Sequence, residues 1–191
     1  MKRFRLMGLA AVAVAILVGS VTLASPAMAD TFGPVQNYGD GLCFQPDGGS
    51  SLQGTLIVQE PCVLNPVTLT SSDPFQQWAV SCLNSSCSAF HYVNVGSGLC
   101  LRARGLSGPA NGEQIMLWTC NQITDLNWAS HSVDIPNRAD LLGFTLESRI
   151  SGSTGYCLDV PGASGAVGLA LQLYRCNGTV AQLWAIQINL T

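Results

Sequence analysis

The sequence predicts an all-β protein that is built from three copies of one unit and held together by disulfides. Each copy contains two cysteines and then a triplet that ends in tryptophan, and the first cysteines, Cys43, Cys100 and Cys157, are 57 residues apart. Short alternating apolar runs accompany them, and no run beyond the N-terminal segment has a convincing helical period. Because one unit of this length cannot bury its apolar side alone, three copies are expected to share one core.

The third repeat is the clearest copy. It starts at Tyr156-Cys157-Leu158-Asp159, bends through a Gly-rich stretch, and reaches Cys176 and then Gln182-Leu183-Trp184. The first repeat runs from Cys43 through Cys62 to Gln76-Gln77-Trp78, and the second from Cys100 through Cys120 to Leu126-Asn127-Trp128. Their expected boundaries are approximately 40–95, 96–152 and 153–191.

The first 29 residues have the composition of a secretory signal peptide. Lys2, Arg3 and Arg5 precede an apolar run over 7–23, and Ala27-Met28-Ala29 forms a small-residue cleavage site. The alternative is an uncleaved membrane anchor, because the run approaches the ~18 apolar residues of a spanning helix. The cleavage site favours a secreted, extracellular domain at 30–191, with no membrane association after cleavage.

Charge narrows the range of partners. Removal of 1–29 takes away three of the eight basic residues and no acidic one, which leaves five Arg against eleven Asp or Glu and a net charge of −6. This balance argues against nucleic acid and anionic membranes, because both attract basic patches. The length suits one compact domain.

Short strands are predicted where apolar and polar side chains alternate. The clearest examples are the runs 91–95, 144–148 and 169–174. Gly and Ser clusters before each first cysteine indicate turns.

Three cysteine pairs, each followed by a Gln-x-Trp triplet or a close variant, resemble the ricin B-type lectin family, which includes carbohydrate-binding modules of secreted bacterial enzymes. The resemblance covers essentially the whole mature chain. It implies a disulfide-stapled β-trefoil of three Cys…Cys…QxW repeats, here expected to be a monomer that binds a glycan or polysaccharide. Two departures are Leu126 in place of the family Gln and the restriction of Cys-Leu-Asp to the third repeat.

All eight cysteines lie in the exported part, where disulfides are the default. Of the 105 pairings that eight cysteines allow, the repeat selects Cys43–Cys62, Cys100–Cys120 and Cys157–Cys176, and it leaves Cys82–Cys87 at the tip of an inserted hairpin. Metal ligation is a poor alternative, because the sequence has no Cys-x-x-Cys and two His. No metal or cofactor is therefore expected.

Strand parity points to a site in the third repeat. If the disulfide joins facing positions, Asp159 faces Tyr174 across an antiparallel pair, and both side chains point outward. Gln172 shares that face, and Asn177 and Gln182 follow. An aromatic ring beside a carboxylate suits a sugar, whose C–H face lies on the ring while its hydroxyls donate to the carboxylate.

The family resemblance implies the same contacts, at Asp159, Tyr174, Asn177 and Gln182. Ala181 stands where the family has Asn, so one hydrogen bond is missing. The expected ligands are galactose- or xylose-type units. Each residue also has a structural interpretation: Asp159 as a turn acceptor, Gln182 as a core hydrogen-bonding group, and Tyr174 as a surface aromatic.

The other two repeats give different predictions. In the first, Gln45 is expected to face Glu60, which removes both the carboxylate and the ring. In the second, Arg102 is expected to face Trp118 and to stack on it. If that ring stays available, a second, weaker site would comprise Trp118, Asn121 and Asp125. Trp78, Trp128 and Trp184 are expected in the core.

Catalysis is not expected, because the sequence carries no nucleophile, zinc or phosphate-loop motif. The main alternative to a lectin is a protein-binding or protease-inhibitor scaffold, since a fold does not fix a function. That hypothesis predicts contacts in the inserted loops, at 81–88 or 123–140.

Overall fold

The computed structural model describes residues 31–64, 72–104, 108–121, 123–138, 140–150, 152 and 154–187. The predicted signal peptide, residues 1–29, lies outside the described residues. Within the described ranges no helix is long and apolar enough to cross a membrane.

The described residues form thirteen short strands and no α-helix. The strands are β1 (Thr31–Phe32), β2 (Gln36–Asn37), β3 (Cys43–Pro46), β4 (Ile57–Glu60), β5 (Trp78–Cys82), β6 (Phe90–Asn94), β7 (Cys100–Ala103), β8 (Glu113–Trp118), β9 (Trp128–Val133), β10 (Leu141–Ser148), β11 (Tyr156–Asp159), β12 (Gln172–Arg175) and β13 (Trp184–Gln187). Five 3-10 helices of three residues each lie at Asp47–Gly49, Pro74–Gln76, Thr124–Leu126, Pro161–Ala163 and Val180–Gln182. The all-β prediction is confirmed.

A barrel is formed by six antiparallel strands, if β1 and β2 are counted together as one interrupted strand. Antiparallel pairing runs in order through β5, β6, β9, β10, β13 and β2. The ring closes because β1, which precedes β2 by three residues, pairs with β5. A barrel closed in this way leaves few unpaired edges.

Three hairpins, β3–β4, β7–β8 and β11–β12, cover one end of the barrel. They meet one another through the pairing of β8 with β12 and through the bridges Leu56–Met116 and Val58–Ala170. A closed barrel with three hairpins is a β-trefoil, as the resemblance implied.

The three tryptophans of the triplets form the centre of the core. Trp78, Trp128 and Trp184 are each 0% exposed, and each indole N–H donates to the carbonyl of the residue after a first cysteine. The acceptors are Phe44 at 3.2 Å, Leu101 at 2.9 Å and Leu158 at 3.1 Å. The prediction that these rings are core residues is confirmed, and each triplet is tied to the start of its own hairpin.

The four disulfides are the predicted ones. Cys43–Cys62, Cys100–Cys120 and Cys157–Cys176 each staple one hairpin, and Cys82–Cys87 closes the loop between β5 and β6. No free cysteine is present among the described residues.

Candidate functional site

The predicted site lies on the β11–β12 hairpin, but the pairing register differs from the prediction by two residues. Asp159 lies opposite Gln172, and Cys157 lies opposite Tyr174. The disulfide is therefore diagonal, because Cys176 comes just after the end of β12. A shift of two residues preserves strand parity, so Asp159 and Tyr174 still share one face as diagonal neighbours.

Two amide side chains hold the carboxylate of Asp159. Gln172 Nε2 donates to Oδ1 at 2.7 Å, and Gln182 Nε2 donates to Oδ2 at 3.0 Å. Each carboxylate oxygen can accept more than one hydrogen bond. The group is thus fixed in orientation and retains acceptor capacity toward a ligand.

Asp159 lines the concavity but is only 4% exposed, so the prediction that its side chain faces outward like that of Tyr174 is wrong. Both carboxylate oxygens are in contact with glutamine side chains, Oδ1 with Gln172 and Oδ2 with Gln182. Burial raises the pKa of the Asp159 carboxyl, and the hydrogen bonds from Gln172 and Gln182 oppose that increase. The carboxylate therefore belongs both to the site and to the packing of the hairpin.

Tyr174 and Asn177 complete the polar part of a shallow concavity of about 310 Å³, which Asp159 and Gln172 also line. Tyr174 is 38% exposed and presents its ring to solvent. The Asn177 side-chain oxygen accepts from Thr179 N at 3.0 Å and Thr179 Oγ1 at 2.8 Å. Its Nδ2 makes no hydrogen bond within the described part of the chain, so it can donate to a ligand.

Gln182 is brought to the site but does not line the concavity. It is 0% exposed, and both its N–H groups are engaged, since Nε2 also donates to Arg175 O at 3.0 Å. Its Oε1 accepts from Asn177 N at 2.9 Å. The predicted contact role of Gln182 is therefore corrected to a positioning role, because all its polar atoms bond within the protein.

Sequence reasoning missed part of the lining. Thr179, Val160, Gly162 and Ala163 border the concavity together with Ala181. They belong to two 3-10 turns, at Pro161–Ala163 and Val180–Gln182, and to the residues just before them. The Pro-Gly pair after Asp159 signals the first turn, but spacing alone does not place it beside the second.

In the second repeat, the residues of the predicted weaker site bond to the protein itself. The Arg102 guanidinium carbon lies 4.2 Å from the centroid of the Trp118 ring. Arg102 Nη2 and Nε donate to Asp125 Oδ2 at 2.6 and 3.0 Å, and the side-chain oxygen of Asn121 accepts from Ile123 N. The predicted stacking is confirmed, although Arg102 lies opposite Met116 and not opposite Trp118.

The first repeat also differs in register from the prediction. Gln45 lies opposite Val58, and Glu60 lies opposite Cys43, so Gln45 does not face Glu60. Gln45 Oε1 accepts from Gln76 Nε2 at 2.7 Å. Gln45 thus takes the place of Asp159, and Glu60 takes the place of the Tyr174 ring.

The inserted loops contain no comparable arrangement within the described residues. The loop at 82–87 is closed by its disulfide and by internal bonds such as Ser88 N to the Asn84 side chain at 3.0 Å. A concavity of about 660 Å³ beside 134–138 is lined by no aromatic side chain. Nor do the described residues bring three or more His, Cys, Asp or Glu together as metal ligands.

No protein-family model matches the sequence, and no curated protein matches it either. Solved structures do match the fold. The designed three-fold symmetric protein ThreeFoil gives a TM-score of 0.65 at 19% identity, over 83% of this chain and 99% of that one. An exo-β-1,3-galactanase from Clostridium thermocellum gives 0.64 at 23% identity, over 83% of this chain but only 30% of the enzyme.

A third similar structure is the ricin B-like lectin of Macrolepiota procera in complex with lactose. Its TM-score is 0.59 at 20% identity, and the match covers 85% of this chain and 98% of the lectin. At such identities the similarity establishes the fold alone. The chain is therefore a β-trefoil whose structural neighbours include ricin B-like lectins.

Proposed function

We propose that this protein is a secreted, monomeric, non-catalytic carbohydrate-binding protein of the ricin B type, in which the third repeat binds galactose- or xylose-type units of a glycan or polysaccharide. The observation that carries the proposal is the exposed Tyr174 ring beside the amide-held carboxylate of Asp159, in one concavity. A pyranose can lay its apolar C–H face on such a ring. Its hydroxyls then donate to Asp159 and accept from Asn177 Nδ2.

The fold similarity to a lactose-bound lectin supports this proposal. The sequence of 1–29 and the four disulfides support secretion, because disulfides persist in oxidising compartments. The concavity has one carboxylate among its lining residues, whereas most glycosidases use a pair. Binding without hydrolysis is therefore the function that the site supports best.

The test is retention of the mature chain, 30–191, on insoluble galactan and xylan, together with a glycan array. We expect retention on one of these sugar classes and release by the matching soluble sugar. Retention on no glycan would contradict the proposal. Capture of a protease or another protein through 81–88 or 123–140 would then favour the protein-binding alternative.

A further inference from the structure

A cavity of about 240 Å³ among the barrel strands takes no part in the proposed function. Its lining residues come from β5, β6, β9, β10 and β13, and they include Cys87 of the loop between β5 and β6. None of them also lines the concavity of the third repeat. We term this separate space the barrel cavity.

The barrel cavity lies where the second repeat fills the barrel less than the other two repeats. Val80, Ser130 and Ile186 all line it, and each follows a core tryptophan by two residues. Side chains two residues apart on a strand share a face, so these three positions are equivalent and point into the barrel. Ser130 is smaller than Val80 or Ile186, which leaves space at this level. Ser130 and Ser132 are exposed, so the cavity opens to solvent beside β9.

Tyr92 brings one buried polar group to the barrel cavity. It lies opposite Val80 in the pairing of β6 with β5, is 2% exposed, and stacks on the Trp78 ring at a centroid distance of 5.7 Å. Its hydroxyl makes no hydrogen bond within the described part of the chain. Burial raises the pKa of Tyr92, so the hydroxyl keeps its proton and can both donate and accept. A ligand that bonds to this group would remove the cost of leaving it unpaired.

The rest of the lining restricts the class of ligand. It contains no Asp, Glu, Lys, Arg or His, so a charged ligand would be buried without a counterion, which is strongly unfavourable. Phe90 and Phe144 add aromatic surface, against which a ligand ring can pack edge to face or offset. An apolar cavity of about 150 Å³ holds one benzene molecule. The larger barrel cavity therefore has room for one ring with a short polar substituent.

We propose that the barrel cavity binds an uncharged, single-ring aromatic molecule that carries one hydrogen-bonding group, and that this group bonds to the Tyr92 hydroxyl. The inference goes beyond the proposed function and does not depend on it. Because no residue lines both sites, the protein can hold a glycan and the aromatic molecule at the same time.

The test uses three single-ring probes with the mature chain, 30–191. Benzyl alcohol carries a hydroxyl, toluene lacks it, and benzoate is charged. Binding is followed by NMR shifts of the side-chain methyl groups. We expect saturable binding of benzyl alcohol with shifts centred on Val80, Leu146 and Ile186, no shifts in the β11–β12 hairpin, and no binding of benzoate at the same concentrations.

Two variants test the space inside the barrel. Ser130→Ile gives β9 the side chain that β13 has at the equivalent position, so the cavity is filled and saturable binding of benzyl alcohol should be lost. Ser81→Ile makes the same exchange at an exposed position of β5 outside the cavity and should leave binding unchanged. Thermal unfolding of both variants confirms that they are folded.

A third variant, Tyr92→Phe, removes only the hydroxyl. It should lower the preference for benzyl alcohol over toluene by roughly fivefold, which is the contribution of one hydrogen bond. Binding of toluene itself should persist, because the ring and the space around it are retained.

No saturable binding of benzyl alcohol to the parent would overturn this inference and leave the proposed function standing. Unchanged binding in Ser130→Ile, an unchanged preference in Tyr92→Phe, or shifts centred on Tyr174 would also overturn it. Retention on no glycan by a chain that still binds benzyl alcohol in the barrel would contradict the proposed function alone.

Discussion

Asp159 combines ligand chemistry with packing. Its carboxylate lines the concavity, yet it is buried and accepts hydrogen bonds from two glutamine side chains. Removal of the carboxylate leaves two amide donors without their acceptor, and such a loss typically costs about 1–3 kcal/mol of stability. A variant at this position must therefore be compared with the parent in both folding and binding.

The raised pKa of Asp159 predicts that acid abolishes sugar binding before it unfolds the protein. Binding should fall as the pH decreases through a value above the ordinary 3.8, because the protonated group loses acceptor capacity. A carboxyl whose pKa is higher in the folded state binds its proton more tightly when folded. Its stabilising contribution is therefore present at low pH and is lost as the pH rises through the folded-state pKa.

Affinity and thermal stability measured across the same acid range test this prediction. Burial also raises the pKa of Asp40 and of Glu113. Their contributions to stability are therefore also present at low pH and lost as the pH rises. The Asp159→Asn variant has no titrating group at this position. It should bind sugar weakly at every pH and show no fall in affinity as the pH decreases. Loss of binding that tracks unfolding at every pH would contradict the prediction.

Strand parity predicted the shared face of Asp159 and Tyr174, because that depends only on alternation along each strand. It could not predict that Asp159 is buried. The buried carboxylate is contacted by Gln182, which reaches it from the 3-10 turn at Val180–Gln182. The resemblance placed Gln182 in the site, but spacing gave no information on which of its atoms were free.

At the scale of the element, the turn before each tryptophan fixes the hairpin of its own repeat. Gln76 in the first repeat makes the same kinds of bonds as Gln182 in the third. It donates to Pro61 O at 2.9 Å and accepts from Val63 N at 2.8 Å. Its partner in place of Asp159 is Gln45. The second repeat has Leu126 in this position, where it is fully buried.

This equivalence gives a matched pair of variants. Gln182→Leu and Gln76→Leu each remove the bonds between a turn and its hairpin, so each should destabilise the protein by about 1–3 kcal/mol. Only Gln182→Leu should also weaken sugar binding, because Asp159 then loses a positioning donor. Denaturant unfolding and sugar titration of both variants provide the measurement.

Equal effects of the two variants on sugar binding would contradict the assignment of the site to the third repeat. A third variant, Leu52→Ser, changes an exposed side chain and should alter neither property.

The register of each hairpin was the least predictable property of these elements. The cysteine spacing selected the right partners in all three repeats. The spacing did not show that the second cysteine lies beyond the last paired residues of the two strands, as Cys176 does relative to β12. A disulfide between strand ends is compatible with either register, since a slip of two residues keeps every side chain on its face.

At the scale of the whole molecule, the barrel and the hairpins are held by one core and four covalent links. The sequence predicted the three-part architecture because the cysteines and tryptophans recur at nearly fixed intervals. It did not predict how the barrel closes, because that depends on the pairing of β1 with β5 and of β2 with β13. Each of these pairings joins segments far apart in the chain, so neither has a local sequence pattern.

The disulfides should differ in their contribution to stability. Those of the hairpins join residues 19 or 20 apart, whereas Cys82–Cys87 spans 5. In the loop-entropy model these lengths correspond to about 3 and about 2 kcal/mol, respectively. Replacement of Cys157 and Cys176 by Ser should therefore lower the free energy of unfolding more than replacement of Cys82 and Cys87.

Chemical denaturation of the two double variants checks this order, and non-reducing peptide mapping of the parent checks the pairing. A larger loss from the Cys82 and Cys87 variant would show that chain entropy does not set the order.

The central claim is that the molecule has one sugar site, formed by the third repeat, and a residue-resolved NMR titration tests it most directly. A single shallow site should bind a monosaccharide with a Kd of ~1 mM, which corresponds to about −4 kcal/mol. We expect amide shifts of the parent to cluster at the β11–β12 hairpin and the turn at Val180–Gln182. They should disappear in Tyr174→Ala and persist in Trp118→Ala. Equivalent shifts in all three hairpins, or unchanged binding by a folded Tyr174→Ala variant, would contradict the claim.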